Sequence, residues 1–240
     1  MTLQLEGARD YVLKLREFAA AKGITMGQAM RDEGRNLMRL IIRFTPPQTK
    51  KQGDNAVRRE IQRAVVPMEE QDFDNPRMKS LIRTHDYVGL TAVVKKFKAT
   101  APAANTDVIR FDGSYHQKQR DTRGRVSRGH SRYSTPDDMD QYIKERLKAV
   151  GQARGGWVPG LEGLGGKAAQ WYGRHRQLGE FVDGTKSFIN PFFEVTNKSR
   201  WANRGDDDRV VANAVRSRTS ILARKLEDAI QSASRKSGLN

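Results

Sequence analysis

Reactive side chains are sparse in this chain, and the polar residues that recur at regular spacing are arginines. The four histidines, His85, His116, His130 and His175, lie far apart and lack the spacing of metal ligands. There is no cysteine, which removes disulfides, thiolate metal sites and thiol nucleophiles together and fits a reducing compartment. The nearest approach to a phosphate loop is GLEGLGGK, Gly160 to Lys167. It places Gly166 where lysine is required and Ala168 where serine or threonine is required. No GxSxG sequence precedes a helix. Asp206, Asp207 and Asp208 could take up a cation, but negative charge at the start of a helix accounts for them more simply. The expectation is a chain with no catalytic residues, no metal and no cofactor.

What remains is fixed positive charge. Arg31, Arg35, Arg39 and Arg43 follow one another at single-turn spacing along one predicted helix. Like charges so placed repel by roughly 0.2–0.5 kcal/mol per pair. Either water and salt screen this ladder, or an acidic partner lies along it. A second run carries Lys118, Arg120, Arg123, Arg125, Arg128 and Arg132 against one acid, Asp121. Glycines and serines keep it from regular helix, leaving a flexible basic loop or a long hairpin. Tyr115 and Tyr133 at its ends could stack on bases, and its arginines would meet phosphates without reading sequence. With a net charge of +16 and a pI near 10.3, the partner expected is a polyanion or an acidic protein surface.

The elements that position these charges read as long helices around a little strand. Thr25 and Gln28 have capping-box spacing, opening a helix from Thr25 to Phe44 whose inner stripe is Met26, Met30, Leu37, Ile41 and Phe44. Glu33 falls inside that stripe. Exposure is the simpler expectation for it, with Arg218 or Lys225 as mates if it is buried. Before it, Gly7 to Lys22 forms a helix with Tyr11, Leu15 and Phe18 inward, stopped by Gly23. After it, PPQTKKQGDN reads as a polar turn with Asp54 as cap, and Val57, Ile61, Ala64 and Val65 suit a short helix. Asn75-Pro76 opens another helix, and a further one runs from Asp86 to the lysines at 95, 96 and 98. Residues 107–111, DVIRF, form the first expected strand. Thr135-Pro136 starts a helix with Met139, Tyr142, Ile143, Leu147 and Val150 inward.

Gly151 to Gly166 is glycine-rich and is expected to be mobile, with Trp157 and Leu161 either anchoring it or meeting a partner. KAAQWYGRHRQLGEF is ambiguous between helix and strand, its first half favouring helix. SFINPFFEV, Ser187 to Val195, reads as an edge or bent strand. From Asp206 to about Ser234 the chain is one long helix. It carries one stripe of Val210, Ala214 and Ile221 and another of Val211, Leu222, Leu226 and Ala229, with Arg218 and Lys225 in the seam. Two readings stay open. The helix is clamped between its own domain and a neighbouring subunit, through Val211, Arg218, Leu222, Lys225 and Leu226. Alternatively it is single-sided, with snorkelling basic stems. No apolar run approaches the ~20 residues of a membrane span, and the N-terminus lacks a signal peptide, so the chain is expected to be made in the cytoplasm.

Read together, the two ends resemble the tail-completion family of tailed bacteriophages, also called head-to-tail joining, neck or minor tail proteins. The first part of the pattern appears as Pro46, Thr49, Gly53, Val57 and Arg58. The second appears as Glu180, Phe181, Gly184, Thr185, Pro191, Phe192 and Phe193, followed by the closing helix. Lys50 to Gln52 and Val182-Asp183 interrupt the two motifs, and nothing between about 68 and 166 has a counterpart. The resemblance implies an α+β fold, long helices flanking a small curved antiparallel sheet. The domain organisation is 1–67 as N-terminal helices and start of the core, 68–166 as a helical insertion with the basic loop, and 167–240 as the C-terminal core. It also implies a structural virion protein in a homo-oligomeric ring, commonly a hexamer, between the head connector and the tail tube or terminator. Contact with packaged DNA would be non-specific. A free-standing, sequence-independent nucleic-acid-binding protein is the competing reading.

Overall fold

A computed structural model describes residues 8–67, 75–97, 132–134, 136–187, 190–200 and 206–237. The basic run from Lys118 to Arg128 and the DVIRF segment lie outside these residues, and of Arg132 only its place in a strand is described. The architecture is α+β, helices with a small antiparallel hairpin. The chain divides into two units, one made of residues 1–50 and 151–240, the other of 51–150. The second unit covers 51–150; the sequence expectation was an insertion at 68–166.

In the first unit α1 (Ala8–Lys22) ends at Gly23, whose φ of +64° is the left-handed turn that a side chain would resist. Thr25 caps α2 (Met26–Phe44) with both halves of a capping box in place. Such a cap contributes about 1 kcal/mol and fixes where the helix begins. The buried stripe of α2 is Ala29, Glu33, Gly34, Leu37, Met38, Ile41 and Ile42, while Phe44 points to solvent. The closing helix, α10 (Asp206–Ser237), has 32 residues and is roughly 48 Å long. It packs along α1 and α2, and Val210, Val211, Ala214, Val215 and Leu222 join Leu15, Met38 and Ile41 in one core. The hairpin pairs β3 (Gly179–Gly184) with β4 (Phe192–Asn197), Phe181 opposite Val195 and Gly184 opposite Phe192. Its inner face places Phe181, Phe193 and Val195 against that core.

The glycine-rich stretch is not a loose loop. Residues 151–166 form two short helices, α7 (Gln152–Gly155) and α8 (Val158–Gly163), and Trp157, Val158, Leu161 and Leu164 are buried. Its glycines serve close approach. A methyl on Gly160 would meet Val195 and Met38, one on Gly163 would meet the Phe181 ring, and one on Gly156 would meet the Asn197 amide. That amide is pinned, donating to the Ala153 carbonyl at 3.0 Å while its oxygen accepts from the Ser199 N–H at 3.0 Å. Composition suggested flexibility because glycine serves a mobile loop and a tight crossing equally well. The following α9 (Gln170–Gly173) agrees with helix in the first half of the ambiguous segment.

The second unit contains α3 (Lys50–Ala64), β1 (Val65–Pro67), α4 (Pro76–Arg83), α5 (Tyr87–Phe97), β2 (Arg132–Ser134) and α6 (Pro136–Lys148). β1 and β2 pair in parallel. Helix α3 starts at Lys50, so Gly53 and Asp54 lie within it and not in a turn. A single glycine costs a helix about 1 kcal/mol, which packing of Ile61 with Met139, Tyr142 and Ile143 can offset. Met78, Leu90, Val93 and Val94 form a separate cluster between α4 and α5.

Candidate functional site

Glu33 on α2 cannot find water, being 3% exposed, so its charge must be met by side chains. Arg218 of α10 meets it with Nε at 2.6 Å and a second nitrogen on the same carboxylate oxygen. Lys225, two turns further along α10, donates to the other oxygen at 2.9 Å. The sequence favoured exposure of Glu33; the structure corrects that and engages both of the mates named for it. Lys225 also lies over the Phe18 ring at 5.9 Å, which ties α1 into the same cluster. The Tyr11 hydroxyl of α1 is buried nearby and has no hydrogen-bond partner among the described residues. Burial, followed by the Glu33 charge, pushes its ionisation above the ordinary phenol range, so it is neutral.

This cluster bears on the two readings of α10. Arg218 is 7% exposed, and Val211, Leu222 and Leu226 are buried among residues of the same chain. Their surfaces are consumed within the chain, and Lys225, half-buried, holds Glu33. Within the single chain four of the five are buried, and the Lys225 side chain is 41% exposed. A heptad-like pattern gives the same signal for one wide apolar arc as for two separately clamped stripes, which is why sequence periodicity did not separate them.

The arginine ladder of α2 is partly answered by its own chain. Arg31 reaches the hairpin turn, donating to Asp183 at 2.9 Å and to the Thr185 hydroxyl at 3.0 Å. Thr185, buried just past β3, gives its hydroxyl to Asp183 at 2.6 Å and its N–H to the same oxygen at 2.9 Å. Those two donations, with Arg31 contributing less, hold the Asp183 carboxyl below its usual range. Arg35 pairs with Asp32 at 2.8 Å and Arg39 with the Asn36 side chain at 3.4 Å. Arg43 is exposed.

Arg154 carried no signal in the sequence reading. It is buried on α7 and among the described residues bonds no carboxylate; its Nε donates to the Thr45 carbonyl at 2.7 Å and another nitrogen to the Arg43 carbonyl at 3.1 Å. A cation at the C-terminal end of α2 satisfies carbonyls the helix leaves unpaired and sits at the negative end of its dipole. The Trp171 ring lies 5.4 Å from it, and burial lowers its pKa from the usual arginine value.

The first unit also opens a groove of about 760 Å³ between α1, α2 and the start of β4. Tyr11, Met26, Met30, Met38, Trp157 and Phe193 are part of its apolar lining, and among the described residues Arg16 supplies its one charge. A smaller hollow of about 610 Å³ adjoins it at Met26 and Pro191 and holds Arg31, Thr185 and Lys186. Among the described residues no group of three or more acids and histidines could hold a metal ion, and no helix is long and apolar enough to cross a membrane. Comparisons with protein-family models, with curated proteins and with solved structures find no match.

Proposed function

We propose that this chain is a structural protein of a tailed-phage virion, closing into a ring at the head–tail junction or the end of the tail, with no catalysis. The observation that carries the reading is the joining of two distant motifs. The helix that runs into Pro46 and the turn containing Glu180, Phe181, Gly184 and Thr185 are 152 to 154 residues apart where Arg31 ties them, yet belong to one unit closed by α10. Residues 51–150, which include Gly53, Val57 and Arg58 of the first motif, form the other unit. A ring needs two unlike surfaces on each subunit, since head-to-tail contacts close it. The outward residues of α2 and α10, with the insertion, supply them in this reading. The partners are further copies, the head connector, and the tail tube or terminator.

The test is binding of the purified chain to isolated connectors and tails. Saturable binding to either supports the role, and indifference to both removes it. Sequence-independent nucleic-acid binding is the second reading, favoured by the net charge of +16. There, log affinity for duplex would fall against log salt by about 0.9 per neutralised phosphate. Replacing Arg123, Arg125 and Arg128 by alanine would flatten that slope.

A further inference from the structure

We propose that the groove between α1, α2 and the start of β4 is a docking site for an apolar, acidic-flanked segment of a partner protein. Protein interiors are close-packed, and apolar side chains around an unfilled space lose contacts that a filled one would give. Here some 760 Å³ opens beside fully buried core residues such as Leu15 and Met38. Three methionines, Met26, Met30 and Met38, line it with aromatic rings. Such a surface adapts to inserted side chains and gains from burying them.

The lips say what size of occupant fits. Val12 on α1 and Phe192 on β4 are 37% and 47% exposed, so the apolar lining continues onto the outer surface. A small ligand has most of its surface enclosed by its pocket, whereas an open-lipped groove suits a polypeptide that lies along it. Charge selects the flank. Among the described residues Arg16 has no ion-pair partner and neither lining contains a carboxylate, and Lys186 is exposed in the adjoining hollow. A second copy of this chain brings a net charge of +16 but also the acidic run MEEQDFD, residues 68–74, so the test below separates it from a partner protein. Its other exposed apolar residues, Phe44, Val88, Val182 and Ile230 among them, stand on separate elements. The proposal does not depend on the virion reading.

The probe is an amphipathic peptide with leucine and phenylalanine at i, i+3, i+4 and i+7 and glutamates at its ends, compared with the same peptide bearing lysines. The full chain, labelled at its methionine methyls, reports where each binds. The expected result is shifts at Met26, Met30 and Met38, with Met78 and Met139 unmoved, and a preference for the acidic peptide. Arg16→Glu should weaken the acidic peptide about fivefold or more and favour the lysine peptide. Val12→Asp should weaken both, and because Val12 is exposed the variant keeps its fold. Equal binding of the two peptides, shifts at Met78 or Met139, or no shift at all would overturn the proposal. So would the same three methyls shifting with protein concentration alone, which would make a second copy the occupant.

Discussion

The two sides of α2 carry charge under opposite conditions. On the inner side a single carboxylate, Glu33, is buried and answered by Arg218 and Lys225. On the outer side Arg35, Arg39 and Arg43 are partly or fully exposed, and among the described residues Arg35 pairs with Asp32 and Arg39 with Asn36. Coulomb attraction is several times stronger in the interior than at the surface, and so is the penalty for losing a partner. The inner cluster therefore specifies how α1, α2 and α10 come together, while the outer ladder leaves folding almost untouched and is available for recognition.

The largest effect should come from breaking the inner cluster on one side. Arg218→Ala leaves Glu33 buried with only the half-exposed Lys225, and should cost about 3–5 kcal/mol in chemical denaturation. A cost below about 1 kcal/mol would mean that Glu33 reaches water. Next comes the tight crossing beside the hairpin. Gly179→Ala would drive a methyl into the Gly156 carbonyl, a backbone contact that no side-chain rotation relieves. A loss of about 1–3 kcal/mol is expected from the same measurement. Tyr11→Phe removes a buried hydroxyl without a partner, and should be neutral or stabilising by up to about 1 kcal/mol at neutral pH.

The same substitution should remove a pH dependence. Tyr11 ionises at a higher pH in the folded chain than in the unfolded one. Its contribution is therefore complete below the unfolded phenol value of about 10 and is lost as pH rises toward the folded value. The difference between the native chain and Tyr11→Phe should change above pH ~10 and stay flat below it. The smallest effect belongs to the outer ladder. Arg39→Ala with Arg43→Ala should move stability by less than about 0.5 kcal/mol, against a measurable loss of binding to connector, tail or polyanion.

Local signals carried most of the helical half of the fold. Thr25 with Gln28, Asn75 with Pro76, and Gly23 each mark a boundary through one or two side-chain-to-backbone hydrogen bonds or a dihedral, so a few residues are enough to read them. The general arrangement, helices around a small antiparallel hairpin, was legible in the same way. The residues that tie the unit together were harder. Glu33 meets Arg218 across 185 residues and Arg154 meets Thr45 across 109, and no periodicity encodes such distances. Glycines 151 to 166 misled because composition does not distinguish a free backbone from one pressed against a neighbour. The groove escaped notice for a related reason. Met26, Met30 and Met38 look like ordinary core stripe until the third wall is known.

The most direct measurement of the central claim is native mass spectrometry of the full chain at rising concentration, with negative-stain images of the same sample. The account predicts one closed assembly of fixed copy number, seen as rings, that hydrolyses or transfers nothing. A chain that stays monomeric at every concentration, and with connectors present, would contradict it.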